Sequence, residues 1–128
     1  MSVIVVNNFC DSIQKIRLFD SKSQLHHECR DLRDYTQFSF LVFEPGIEGP
    51  IIEIGNNDIS TSAEYRGYAL NMVNVRIKEE HLKGLIPNPY NKDRVREFRL
   101  FAIDEDGTKQ LLQQDCFYIE ANLMGTKQ

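Results

Sequence analysis

The segment Phe38-Ser39-Phe40-Leu41-Val42-Phe43 carries the strongest strand signal of the chain. Aromatic and β-branched residues favour a pleated, packed backbone. Both faces of the segment become apolar toward its end, which is typical of a strand that is covered on both sides. We therefore predict a strand over Thr36 to Glu44 in the interior of the protein, followed by a loop over Pro45 to Pro50.

The same kind of segment recurs toward the C-terminus. Between Tyr65 and Lys78, the residues Val73, Val75 and Ile77 line one face with a period of two, which predicts a long half-buried strand.

A hairpin is predicted in the C-terminal third. Val95 to Ile103 alternates as a strand, Asp104 to Gly107 has turn composition, and Thr108 to Leu112 begins the return strand. Cys116 to Leu123 is predicted as one further, final strand.

Two strands are predicted on the N-terminal side. Val3 to Val6 is the first and Ile13 to Phe19 the second, in which Ile16 and Leu18 share one face. Asn7 and Asn8 stop the first strand, since their side chains favour turn geometry, and a hairpin between the two strands is therefore a plausible pairing.

The remaining segments are shorter or ambiguous. Ile51 to Ile54 reads as a short strand, Gly55 to Ala63 as a loop, and Glu79 to Leu85 as one helical turn that ends at Gly84. The stretch from Gln24 to Tyr35 fits both helical and strand spacing, and its neighbours favour strand followed by loop.

Many short strands and few helices in a chain of 128 residues predict an all-β fold. We expect one antiparallel β-sandwich of Greek-key type, with about seven or eight strands and at most short helical turns. The prediction treats residues 1–128 as a single domain, with residues 124–128 as a frayed tail.

Charge and targeting signals restrict the class of protein. The chain has 19 Asp and Glu against 15 Lys and Arg, a net charge of −4, so it lacks the basic footprint of nucleic-acid binders. No stretch approaches the roughly 20 apolar residues of a membrane span, and no signal peptide is evident. We expect a soluble protein that is cytoplasmic, or exported by a route that needs no N-terminal signal peptide.

No catalytic or metal motif stands out. His26, His27 and Cys29 could supply two ligands of a zinc site, but the remaining candidates are scattered. The acidic turn at 104–107 does not fit a calcium loop. The cysteines are odd in number and widely spaced, which indicates reduced thiols rather than disulfides. We therefore expect neither metal nor cofactor.

We predict that two loop surfaces contact the partner, because Tyr and Arg side chains most often anchor protein interfaces. The first surface spans Asn56 to Tyr68, and the second spans Leu85 to Arg96, where Pro87 and Pro89 restrict the loop before binding. The predicted partner-binding residues are Tyr65, Arg66, Tyr68, Tyr90, Arg94 and Arg96.

Three functions remain open at this point. The first is a non-catalytic interaction module that binds a protein partner, such as an acidic inhibitor, an immunity-type protein or a secretion-system component. The second is a β-sandwich that binds a small polar ligand such as a carbohydrate. The third is an enzyme of unidentified class, which no motif supports.

Overall fold

The computed structural model describes residues 3–18, 32–64, 70–89 and 95–121. Residues 24–31, where helix and strand were both open, lie outside these ranges, as does the predicted tail at 124–128. In chain order the strands are β1 (Ile4–Asn7), β2 (Ser12–Arg17), β3 (Tyr35–Phe43), β4 (Ile52–Ile54), β5 (Ile59–Ser62), β6 (Met72–Ile77), β7 (Arg96–Asp104) and β8 (Lys109–Glu120). One short helix, α1 (Glu79–Leu82), and 3-10 turns at Leu32–Asp34 and Asn56–Asp58 complete the described elements.

The strands form two sheets. The first has five strands in the order β1-β8-β7-β3-β4, and the second has three in the order β2-β6-β5. These strands, with only short helical turns between them, confirm the all-β prediction.

One pairing departs from the antiparallel expectation. β1 runs parallel to β8, with Ile4 opposite Phe117 and Val6 opposite Ile119. The predicted hairpin of the first two strands is consequently wrong, because β1 lies in the five-stranded sheet and β2 in the other. The backbone N–H of Asn8 donates to the carbonyl of Glu120, which extends the pairing with β8 and carries the chain away from β2.

The core lies between the two sheets and receives side chains from both. Phe40 and Val42 of β3 are fully buried, as predicted for this segment, and the Phe40 ring stacks on Phe98 at 5.3 Å between centroids. Val73 and Val75 of β6 face them from the second sheet within the same cluster. Burial of these alternating residues explains why the period of two was so clear in the sequence.

Two boundaries differ from the predicted ones. The predicted loop Gly55 to Ala63 contains a 3-10 turn and β5, because Ile59 to Ser62 pair with β6 and the Asn56 side chain accepts the Phe38 N–H at 2.7 Å. The strand predicted from Tyr65 begins at Met72, and residues 65–69 lie outside the described part of the chain.

The C-terminal hairpin is confirmed with one change. The two segments predicted after the turn form a single strand, β8. The pairing of β7 with β8 shifts register between Leu100 and Phe101, and β8 continues without a break on both sides of this shift. Gly107 closes the turn at a φ of 84°, a region that glycine enters without steric cost. The helical turn that ends at Gly84 is also present.

None of the helices in the described residues is both long and apolar enough to cross a membrane.

Replacement of Phe40 by Ala should lower the free energy of unfolding by about 3–5 kcal/mol, because it leaves a cavity where the ring stacks on Phe98. Phe9→Ala is the matched control, since the Phe9 side chain is 51% exposed, and we expect a loss below about 1 kcal/mol. Urea unfolding of both variants measures the difference. Equal losses would contradict the placement of Phe40 at the centre of the core.

Candidate interaction site

A buried cluster of three polar side chains lies at one end of the five-stranded sheet. Nε of Arg96 donates to Oε1 of Glu44 at 2.8 Å, and Nη1 of Arg96 donates to Oδ1 of Asn88 at 2.9 Å. Arg96 is only 1% exposed and Glu44 is mostly buried. A buried guanidinium requires such partners, because an unpaired charge away from water is very costly.

Asn88 supplies hydrogen bonds to the part of β8 that extends past the first residue of β7. Arg96, the first residue of β7, lies opposite Phe117, so β7 offers no partner to Ile119. The N–H of Ile119 donates to Oδ1 of Asn88 at 2.8 Å, and the N–H of Asn88 donates to the carbonyl of Ile119 at 2.8 Å. The side-chain amide of Asn88 also donates to the carbonyl of Phe117 at 3.3 Å.

The sequence around Asn88 explains why the chain lies alongside β8. Pro87 and Pro89 have no backbone N–H, so Asn88 carries the one backbone donor of this tripeptide. Pro89 also disfavours helical backbone at the residue before it, which keeps Asn88 extended. The cluster therefore joins the segment after α1 to the start of β7 and fixes both ends of the intervening loop.

A groove of about 670 Å³ opens beside this cluster. We call it the loop-base groove, and it lies between the loop after β3, the start of β7 and the middle of β8. Its lining residues are Phe43, Glu44, Pro45, Ile47, Val95, Arg96, Glu97, Arg99, Gln114, Asp115 and Cys116. The groove thus combines apolar side chains with a rim of charged and amide groups.

The rim of the loop-base groove is held by contacts among its own side chains. Arg99 lies over the Phe43 ring at 4.5 Å from the centroid and pairs with Glu97 at 2.9 Å. Gln114 of β8 donates to the other oxygen of Glu97 at 2.7 Å. Ile47, in contrast, is 51% exposed and adds an apolar surface to the groove.

Comparison with known proteins gives only a weak structural similarity. No protein family and no curated protein matches this chain. Among solved structures, the chain is similar to a mutant of the SrpA adhesin from Streptococcus sanguinis, with 12% sequence identity and a TM-score of 0.45. The similar region covers 95% of this chain and 56% of the adhesin chain.

The structure describes one of the six predicted partner-binding residues. Arg96 is buried in the cluster with Glu44 and Asn88, so its guanidinium does not face solvent as a binding residue would. The other five, Tyr65, Arg66, Tyr68, Tyr90 and Arg94, lie outside the described residues.

Sequence reasoning missed the contributions of Glu44, Asn88 and Ile47. Glu44 was taken as the end of a strand, and nothing in its neighbourhood in the sequence points to Arg96, which lies 52 residues away. Asn88 could have been found, because an Asn between two prolines is a lone donor in a segment without regular structure. Ile47 follows Gly46 in a loop, where an apolar residue is unexpected.

The described residues hold no arrangement typical of catalysis or metal binding. No group of three His, Cys, Asp or Glu side chains among them lies close enough to hold a metal ion. His81 accepts the backbone N–H of Lys78 through Nδ1 at 2.9 Å and so caps the first turn of α1. His26, His27 and Cys29 fall outside the described residues.

Arg96→Ala should lower the free energy of unfolding by about 3–5 kcal/mol, because it leaves the Glu44 carboxylate buried without its cation. Arg99→Ala is the matched control on the same strand. Arg99 is partly exposed and paired on the rim, so we expect a loss of about 1 kcal/mol or less.

Chemical denaturation of both variants distinguishes a buried ion pair from a surface one. If Arg96→Ala is too unstable to purify, Glu44→Gln tests the same pair, since it keeps the shape and one acceptor oxygen but removes the negative charge. A Glu44→Gln protein as stable as the wild type would contradict the role given to the cluster.

Proposed function

We propose that this protein is a non-catalytic binding module and that it docks a protein partner at the loop-base groove. The observation that carries the proposal is the exposed Ile47 beside the half-buried Phe43, in a groove whose rim is polar. An apolar centre with a polar rim is the usual anatomy of a protein interface.

The rigidity of the groove supports this proposal. The Arg96 cluster fixes the start of β7 and the segment at Asn88 with buried hydrogen bonds. A surface that is ordered before binding loses less conformational entropy in the complex. The groove would therefore lose little conformational entropy when a partner docks.

The charges of the groove favour a basic partner. Three carboxylates, from Glu44, Glu97 and Asp115, line it against two guanidinium groups. The whole chain carries a net charge of −4. Electrostatic complementarity would speed association with a cationic surface. An inhibitor or immunity-type protein is the version of the binding module that this balance supports best.

Ile47→Asp should reduce the affinity of groove-directed ligands by at least about tenfold, because it places a charge at the apolar centre of the interface. Leu111→Asp is the matched control, since Leu111 is 48% exposed and does not line the groove. Binders are first selected against the wild-type protein from a phage-displayed library of random peptides, and their affinity for both variants is then measured by biolayer interferometry. Binders that lose affinity for Leu111→Asp and keep it for Ile47→Asp would contradict the proposal.

Tyr90→Ala tests whether the predicted binding loop from Leu85 to Arg96 shares in binding. Tyr90 precedes Val95, a lining residue, by five positions, and Arg94 directly precedes it. If Tyr90 anchors the partner, the variant should bind the selected ligands more weakly by about 2 kcal/mol or more while it keeps most of its stability. Thermal unfolding and affinity are measured on the same preparation. A loss of stability with unchanged affinity would remove Tyr90 from the interface.

A further inference from the structure

One edge of the second sheet is formed by β2. The strand before it in the chain, β1, pairs with β8 of the other sheet. Across residues 3–18, 32–64, 70–89 and 95–121, no strand pairs with β2 on the side away from β6. We call this side the β2 edge.

A cavity of about 540 Å³ lies along the β2 edge. Gln14 to Leu18 form one wall, Val3 and Ile4 form the other, and Gln113 of β8 also lines it. The cavity is therefore the opening between the two sheets on the side where β1 has left β2 uncovered. A strand edge presents a row of free backbone N–H and C=O groups, which is a template for a further strand.

The outward side chains of the second sheet give this edge a local positive charge. Lys15 and Arg17 of β2 are exposed, and Arg76 of β6 lies beside them. Arg17 pairs with Glu64 at 3.1 Å and Arg76 approaches Asp11 at 3.8 Å. Lys15 forms no ion pair with any residue that the structure describes. Three cations and two carboxylates of the described residues thus meet on this face, which gives a local excess of positive charge on a chain whose net charge is −4.

The side chains that point inward are of a different kind. Ile4 and Ile16 are buried, and Leu18 packs partly against the core. Successive side chains of an added strand would alternate between these apolar residues and the outer cations. An apolar side chain therefore suits the inward positions, and a carboxylate suits the outward ones.

A second copy of the chain is a poor occupant of the β2 edge. Antiparallel pairing of two β2 strands would bring the Lys15 and Arg17 side chains of one copy close to those of the other. Like charges directly opposite each other destabilise a strand pair, whereas opposite charges stabilise it. The edge is thus protected against self-association and left open to an acidic strand.

We propose that the β2 edge accepts an extended segment of a partner protein that alternates apolar and acidic residues. The segment adds a fourth strand to the second sheet, its backbone bonds to β2, and its carboxylates lie beside Lys15 and Arg17. Peptide addition to a free sheet edge gains affinity from main-chain hydrogen bonds and specificity from alternate side chains. This surface shares no residue with the loop-base groove and does not depend on its function.

Two synthetic peptides test the charge preference, one a Val-Glu repeat and the other a Val-Lys repeat of equal length. Isothermal titration calorimetry at low salt should show the Val-Glu peptide binding at least about tenfold more tightly than the Val-Lys peptide. Lys15→Glu should abolish this preference, and Lys109→Glu, an exposed charge reversal on β8, should leave it unchanged. Absence of binding by the Val-Glu peptide, or an equal effect of the two reversals, would overturn the proposal.

Backbone methylation then tests strand addition itself. Only every second N–H of an added strand points toward β2. Two forms of the Val-Glu peptide, N-methylated on alternate residues in the two possible phases, should therefore differ in affinity by at least about tenfold. Equal affinities would contradict strand addition, whether both are high or both are low.

Ile47→Asp is included as a reference and should bind the Val-Glu peptide like the wild type, which separates this proposal from that of the groove.

Discussion

The buried contact of Arg96 with Glu44 and Asn88 organises one end of the molecule. It joins the end of β3, the start of β7 and the segment that follows α1, and through Asn88 it reaches the backbone of β8. The charge on Arg96 cannot be left without partners in a site that is 1% exposed. The position of each of these segments is therefore tied to that of the others, and the loop-base groove inherits its shape from them.

The course of β1 shapes the opposite side of the sandwich in a comparable way. By pairing with β8, β1 adds a fifth strand to the first sheet and leaves the second with three. Among the strands that the structure describes, none pairs with β2 on the side away from β6. The groove lies where loops meet the large sheet, and the cavity along the β2 edge lies where the two sheets part. The loop-base groove and the β2 edge, which differ in chemistry, therefore both follow from the arrangement of the strands in the two sheets.

Strands whose side chains are deeply buried were easier to predict from the sequence than strands that are only half-buried. Val73, Val75 and Ile77 are all fully buried on one face of β6, and their alternation was visible because burial selects apolar residues at every second position. The turn at Asp104 to Gly107 was equally visible, since its residues are chosen for local geometry. The segment from Asn56 to Ser62 looked like a loop because β5 is half-buried at most, so its polar residues carry no alternating signal.

The sequence by itself determined the all-β class, the central strand at Phe38 to Phe43 and the C-terminal hairpin, because each depends on contacts or turns that are local in the chain. Only the tertiary structure decided that β1 pairs with β8 rather than β2, since the choice rests on partners more than 100 residues apart, which no local pattern in the sequence connects. The same holds for Arg96. Its type and position favoured an exposed binding residue, and only the fold brought Glu44 and Asn88 close enough to bury its charge.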